Sequence, residues 1–176
     1  MTTIEPALDL SLIGDLLPAD RLQWTARELR DLTWTVASEL SGPLHDMARY
    51  VPEQRWWARL ALTEGVELWL LTWLPGQHTR PHDHGGAAGS FTVLTGELTE
   101  QYRYPGGPIR DLKHALGNAI GFGAGRAHQL GNESSATEPA ASVHAYSPPL
   151  TPTREYASLR DVPTEIPSLI PEQVAR

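Results

Sequence analysis

A chain of 176 residues has room for one ordinary hydrophobic core, and its 40% hydrophobic and 20% charged content suits a folded soluble domain rather than a disordered segment. The formal net charge of −7, with Lys and Arg thinly scattered, argues against a nucleic-acid surface. Cysteine is absent, which excludes disulfides, a thiolate nucleophile and sulfur ligation by Cys.

The opening MTTIEPALDL lacks the basic and apolar regions of a signal peptide. Residues 18–41 are expected to be helical: Asp20 can cap, and Leu22, Ala26, Leu29, Thr33, Val36 and Leu40 recur every three or four positions. Gly42–Pro43 would stop this segment. A second short helix is expected from Pro52 through PEQRWWARLAL, with Trp24, Trp34, Trp56 and Trp57 on packing faces.

From Gly65 the texture changes. VELWLLTW, FTVLTG, ELTEQYRY, IRDLKHAL, AIGFG, AHQLGN and ASVHAYS are short segments punctuated by Gly, Pro or Asn. That spacing favours an antiparallel sandwich or barrel over alternating βαβ units. VELWLLTWL is too short and polar to span a membrane, so a cytoplasmic enzyme or binding domain is expected. Residues 147–176 carry six prolines and are expected to wrap the surface or fray. The resulting picture is one domain over 1–176, with a mainly helical cap over 1–64, a β core over 65–147 and a proline-rich closing segment over 148–176.

RPHDHGG, residues 80–86, sets His82 and His84 two apart, so an extended backbone aims both imidazoles the same way. Alone, the stretch is equally well a polar turn. A metal site needs a third ligand, and His128 in GRAHQLGN is the strongest candidate, with His144 as competitor. His78 stands at helical spacing from His82, but Pro75, Gly76 and Pro81 oppose a helix there. His114 reads as a structural or exposed sheet histidine, and His45 has no evident partner.

Here the sequence resembles the cupin superfamily. Gly76, His82, His84 and Gly96 fit its first motif, with Gly89 at the usual glutamate; Gly117, Gly125, His128 and Asn132 fit the second. The resemblance implies an all-β core forming a double-stranded β-helix (jelly-roll) barrel behind N-terminal helices, with His82, His84 and His128 as metal ligands. Without the glutamate, three neutral imidazoles leave a divalent ion its full charge, which suits anionic substrates such as thiolates. Iron is expected if the chemistry involves oxygen, although imidazole ligation also allows Zn, Ni, Cu or Mn. A zinc hydrolase lacks a well-placed carboxylate base.

SVHAYSPPL, residues 142–150, alternates Ser142, His144 and Tyr146 on one face of an extended chain. The three can form a hydrogen-bonded relay, or simply satisfy one another inside a strand. No nucleophile elbow accompanies the serine. Extended to TEPAASVHAYSPPL, the segment resembles the C-terminal signature of cysteine dioxygenases, and RPHDHGGAAGSFTVLTGELTE resembles their first metal-binding strand and turn. The similarity covers roughly residues 50–150.

That resemblance implies an Fe(II) thiol dioxygenase placing both atoms of O2 on the substrate sulfur, with a role in cysteine catabolism. Tyr146 would lie beside the iron, oriented by His144 and Ser142. The Cys–Tyr crosslink of many animal members is impossible here, because Gly89 holds the cysteine's place and the chain has no cysteine. Arg59, in WWARLAL, matches the family's carboxylate-clamping arginine; Arg55, Arg80, Arg126 and Gln54 are the alternatives. L-Cysteine is the expected substrate, with 3-mercaptopropionate next. A metal-binding cupin that takes a small ligand without oxygen chemistry is the non-enzymatic reading. The partners expected are a small thiol and O2, with no nucleic acid and no membrane; a monomer is allowed.

Overall fold

The computed structural model describes residues 3–4, 10–151 and 153–165. Pro152, Pro167 and Pro171 of the expected closing segment lie outside the described residues. Helix α1 spans Leu10–Leu16, α2 Ala26–Glu39 and α3 Ser41–Met47. The first long helix therefore starts later than the periodicity suggested, and its cap is Thr25 rather than Asp20. Thr25 Oγ1 accepts from the Glu28 backbone N–H at 3.3 Å, and Glu28 Oε2 accepts from the Thr25 N–H at 2.9 Å, a complete capping box. Upstream, the Trp24 N–H donates to Ser147 Oγ at 3.0 Å, a bond that ties this segment to the sheet. Gly42–Pro43 follows the end of α2 but falls inside the next helix, where proline suits the first turn.

The expected second helix is a strand. β2, Trp57–Leu62, pairs antiparallel with β3, Glu67–Trp73. Thr63 Oγ1 accepts from the N–H groups of Gly65 and Val66 and shapes the tight turn between them. β3 needed a partner on this side for its backbone groups, and the hairpin provides it. Trp34 and Trp57, expected in packing faces, are exposed, whereas Trp24 is buried.

Every segment read as a strand after Gly65 coincides with one. β5 is Ala88–Thr95, β6 Glu97–Arg103, β7 Arg110–Ala115, β8 Ala119–Phe122, β9 Ala127–Gly131 and β10 Ala140–Ser147. Three two-residue strands complete the set: β1 (Thr3–Ile4), β4 (His82–Asp83) and β11 (Arg154–Glu155). One sheet runs β1-β2-β3-β10-β5-β8 and the other β11-β4-β9-β6-β7. All pairings are antiparallel.

The closed jelly-roll barrel expected from the resemblance is not what forms. The two sheets face each other and both stay open, with no ladder among the described residues joining the edge strand of one to the other. At one edge of each sheet stands a two-residue strand, β1 or β11, which supplies too few hydrogen bonds to carry the pairing round. Side chains join the sheets instead.

Strand alternation builds two cores. Leu68 and Leu70 of β3 and Val143 and Ala145 of β10 pack under α2 with Leu29, Leu32 and Val36. The opposite faces meet the second sheet through Trp73, Phe91, Val93, Leu98, Phe122 and Leu130. β10 is central and buried along its whole length, so the period of two sends Ser142, His144 and Tyr146 into the space between the sheets. No helix among the described residues is long and apolar enough to cross a membrane.

Candidate metal centre

His82 and His128 stand directly opposite each other on β4 and β9, so their rings share a face. His84 follows two residues on. The three rings are mutually 4.9–5.0 Å apart between centroids, and one ligand atom from each lies within 4.8 Å of the others.

The remaining nitrogens explain the orientation. His82 Nδ1 donates to the Arg80 carbonyl at 2.8 Å. His128 Nδ1 donates to Glu100 Oε1 at 2.7 Å. His84 Nε2 is buried with no hydrogen-bond partner. Burial, with the neighbouring His128 adding to it, pushes His82 down to about 3 and His84 well below the ordinary imidazole range. Neutral imidazoles with one nitrogen held and the other aimed inward are in the form that binds a divalent metal. The donor set fits an Fe(II)-type site.

Glu100 went unnoticed in the sequence, although it shares the inward parity of Leu98 and Tyr102 on β6. Its buried carboxylate accepts from Arg126 Nη2 at 2.6 Å, His128 Nδ1 at 2.7 Å and His114 Nε2 at 2.9 Å. Burial alone would raise its pKa, but the hydrogen bonds from His114 and His128, with the charge of Arg126, hold it well below the usual carboxylate range. A negative charge thus stands one hydrogen bond behind a metal-facing imidazole. His114 is neither exposed nor idle, and Arg126 is committed to this carboxylate.

Asp83 was also passed over. Buried between His82 and His84 in the chain, it accepts from the Gly85 N–H at 2.7 Å and from the Tyr156 hydroxyl at 2.5 Å. Tyr156 follows β11, whose pairing with β4 sets Glu155 opposite His82. The described part of the closing segment therefore adds an edge strand to the histidine-bearing one.

Ser142 Oγ lies 2.8 Å from His144 Nε2, and His144 Nδ1 lies 3.2 Å from the Tyr146 hydroxyl. Both nitrogens of His144 are engaged in this chain, and His144 stands outside the three-histidine cluster. The Tyr146 ring stacks on His84 at 5.1 Å and 28°. Burial raises the Tyr146 pKa above the ordinary phenol value, so the hydroxyl keeps its proton. Gly89 is needed beside this ring: a Cβ there would lie 2.5 Å from Phe122 and 3.0 Å from Tyr146.

A cavity of about 460 Å³ opens onto His82, His128, His144 and Tyr146, walled by Trp57, Trp69, Leu71 and Trp73. Arg55 lines it. Its Nε and Nη1 are buried without partners, and its guanidinium lies 4.6 Å from the centre of the Trp73 ring. Arg59 does not line it: it is exposed on β2, 5.6 Å from the Trp69 ring centre. The two arginines would share a face of a helix, but in an extended chain they are separated by about 13 Å. Arg59 was expected from the resemblance of WWARLAL to the family's arginine segment; the helical reading of that stretch only made Arg55 its alternative. Gln54 is exposed and outside the lining, Arg80 reaches the rim and pairs with Glu155 at 3.4 Å, and His78 lines the cavity apart from the ligand cluster.

The family model for cysteine dioxygenase type I matches residues 28–159. The chain belongs to that family. Among solved structures, it resembles the TT1209 protein of Thermus thermophilus with 28% identity and a TM-score of 0.52, over 60% of this chain and 93% of that one. It also resembles an uncharacterized conserved protein with a double-stranded β-helix domain from Klebsiella pneumoniae. That pair is 21% identical with a TM-score of 0.53, over 65% of this chain and 89% of the other, a likeness of fold. None of the curated proteins compared with the chain matches it. Membership of the cysteine dioxygenase family, together with the buried three-histidine cluster, supports a metal-dependent oxidoreductase of thiol-dioxygenase type. Without cysteine, it has no Cys–Tyr crosslink.

Proposed function

We propose that this protein is an Fe(II)-dependent dioxygenase that converts L-cysteine to cysteine sulfinate, both atoms of O2 entering the sulfur. The observation that carries the reading is Arg55, half-buried with its Nε and Nη1 unpartnered, lining the cavity that opens onto His82 and His128 of the three-imidazole cluster. His82, His84 and His128 would hold the iron, which when bound would supply the oxygen chemistry.

Arg55 anchors the substrate carboxylate in place of Arg59. A guanidinium fork matches a carboxylate in shape and charge, and one left unpaired in a buried site gains most from it. The tryptophan wall shields the reacting end from water, and Tyr146 offers its hydroxyl to the bound substrate. With its carboxylate held by Arg55, the substrate is kept inside the cavity beside His82 and His128, which replaces a chance encounter with a fixed orientation.

The test loads anaerobically purified protein with Fe(II) and compares L-cysteine, 3-mercaptopropionate and cysteamine, recording oxygen uptake and product mass together. Expected are one O2 consumed per thiol and a product heavier by two oxygen atoms, with cysteamine poor because it has no carboxylate. No turnover of any of the three with iron verified in the protein would overturn the assignment. Preference for 3-mercaptopropionate would keep the chemistry and move the substrate. Arg55→Gln should raise KM for L-cysteine by about 10- to 100-fold, the worth of a charge-assisted hydrogen bond, while Arg59→Gln stays within about twofold.

A further inference from the structure

The closed end of the Ser142–His144–Tyr146 chain is Trp73. Its indole N–H donates to Ser142 Oγ at 2.9 Å, and an indole nitrogen can donate but never accept. Ser142 is fully buried, and its other close polar neighbour is His144 Nε2 at 2.8 Å.

Hydrogen counting then sets a direction. If His144 donated from Nε2, the serine oxygen would receive two donors and its own hydrogen would be buried with nothing to accept it, an arrangement folded proteins avoid. Ser142 therefore donates to Nε2. Burial keeps His144 neutral, so its single ring hydrogen sits on Nδ1 and points at the Tyr146 oxygen 3.2 Å away. Having accepted there, the phenol turns its hydrogen to the remaining side, where Tyr146 lines the cavity.

We propose that Trp73 is the positioning residue that sets the proton polarity of this chain, so that Tyr146 presents a hydrogen and not a lone pair to the molecule bound over the three imidazoles. The chain runs one way, from indole to serine to imidazole to phenol. A ligand atom that accepts, such as a carboxylate or another anionic oxygen, is favoured beside Tyr146; one that only donates is not. Trp73 thus does two tasks, forming the cavity wall beneath Arg55 and holding the far end of the relay. The inference rests on Tyr146 facing a bound ligand, as in the proposed function, but the polarity itself can be read without turnover.

The experiment labels the histidines of the full-length chain with nitrogen-15 and records the two ring-nitrogen shifts of His144, assigned with a His144→Asn variant. Expected in the parent protein are a protonated Nδ1 and an unprotonated Nε2; the reverse tautomer overturns the proposal. In Trp73→Phe, the space left by the indole admits a water that can accept the serine hydrogen. Both polarities then become available, so a mixture of tautomers is expected, and an unchanged ratio removes Trp73 from the role. Should that variant fail to fold, the Trp73 indole N–H resonance decides. It should lie downfield in the parent and move upfield in Ser142→Ala, and an unmoved resonance counts against the inference. These shifts stand or fall independently of whether thiols are the substrate.

Discussion

The contact between Glu100 and His128 holds that imidazole in one tautomer and makes it a better donor, while Arg126 and His114 both donate to the other carboxylate oxygen. Glu100→Gln keeps the shape but loses the charge, and is expected to weaken metal binding by about 10- to 100-fold in a metal titration. It should also lower stability by about 3–5 kcal/mol, because Arg126 is left as a buried charge without its partner. At Gly89 the constraint is steric. Phe122 already occupies the space a side chain would need, so Gly89→Ala should cost about 1–3 kcal/mol in denaturant unfolding. The two positions also differ in how visible they were. Gly89 stood out because a motif expects a glutamate there, whereas Glu100 became significant only when β6 was laid between β7 and β9.

Local rules determine most of the elements. The strands after Gly65 are legible as short segments punctuated by Gly, Pro or Asn, and the turn at Thr63–Val66 uses ordinary Ser/Thr chemistry. WARLAL escaped those rules because its apolar spacing serves either period, and the choice fell to β3, which needed a neighbour for its backbone groups. At the start of α2, Thr25→Ala removes a side-chain cap and should cost about 1 kcal/mol, seen as a lower urea midpoint. The closing segment contributes through Tyr156, whose hydroxyl meets the buried Asp83 carboxylate beside the histidine strand. Tyr156→Phe takes away a hydrogen bond to a charged group and should lower stability by about 1.5–3 kcal/mol. A stability unchanged within error would mean that Asp83 finds water instead.

For the whole molecule, the two open sheets bring together residues from both ends of the β core. Metal binding should therefore stabilise the entire fold: at a free Fe(II) or Zn(II) level of about 100 times Kd, the gain is about 2.7 kcal/mol. Chelation is expected to lower Tm by about 5–10 °C for a chain of this size. Acidity acts on the metal-free protein in a definite direction. His144 is held neutral by burial, well below the ordinary imidazole range, while in the unfolded chain its pKa returns to about 6.5. Below that pH the unfolded state binds the extra proton, so stability falls as pH drops, by up to about 1.4 kcal/mol per pH unit from this group. Urea unfolding at about pH 7.5 and about pH 5.5 checks the sign.

By itself, the sequence determined which side chains share a face. Ser142, His144 and Tyr146 are two apart in a segment that reads as a strand, so pleating puts them together; His82 and His84 have the same spacing, but for them a polar turn stood open until β4 paired with β9. Only the tertiary structure decided what those faces meet. It brought β9 against β4, put Glu100 behind His128, made WARLAL a strand so that Arg55 and not Arg59 lines the cavity, and left both sheets open. The physical reason is range: a two-residue period is a property of the local backbone, whereas pairing partners and buried charge depend on segments far apart in the chain.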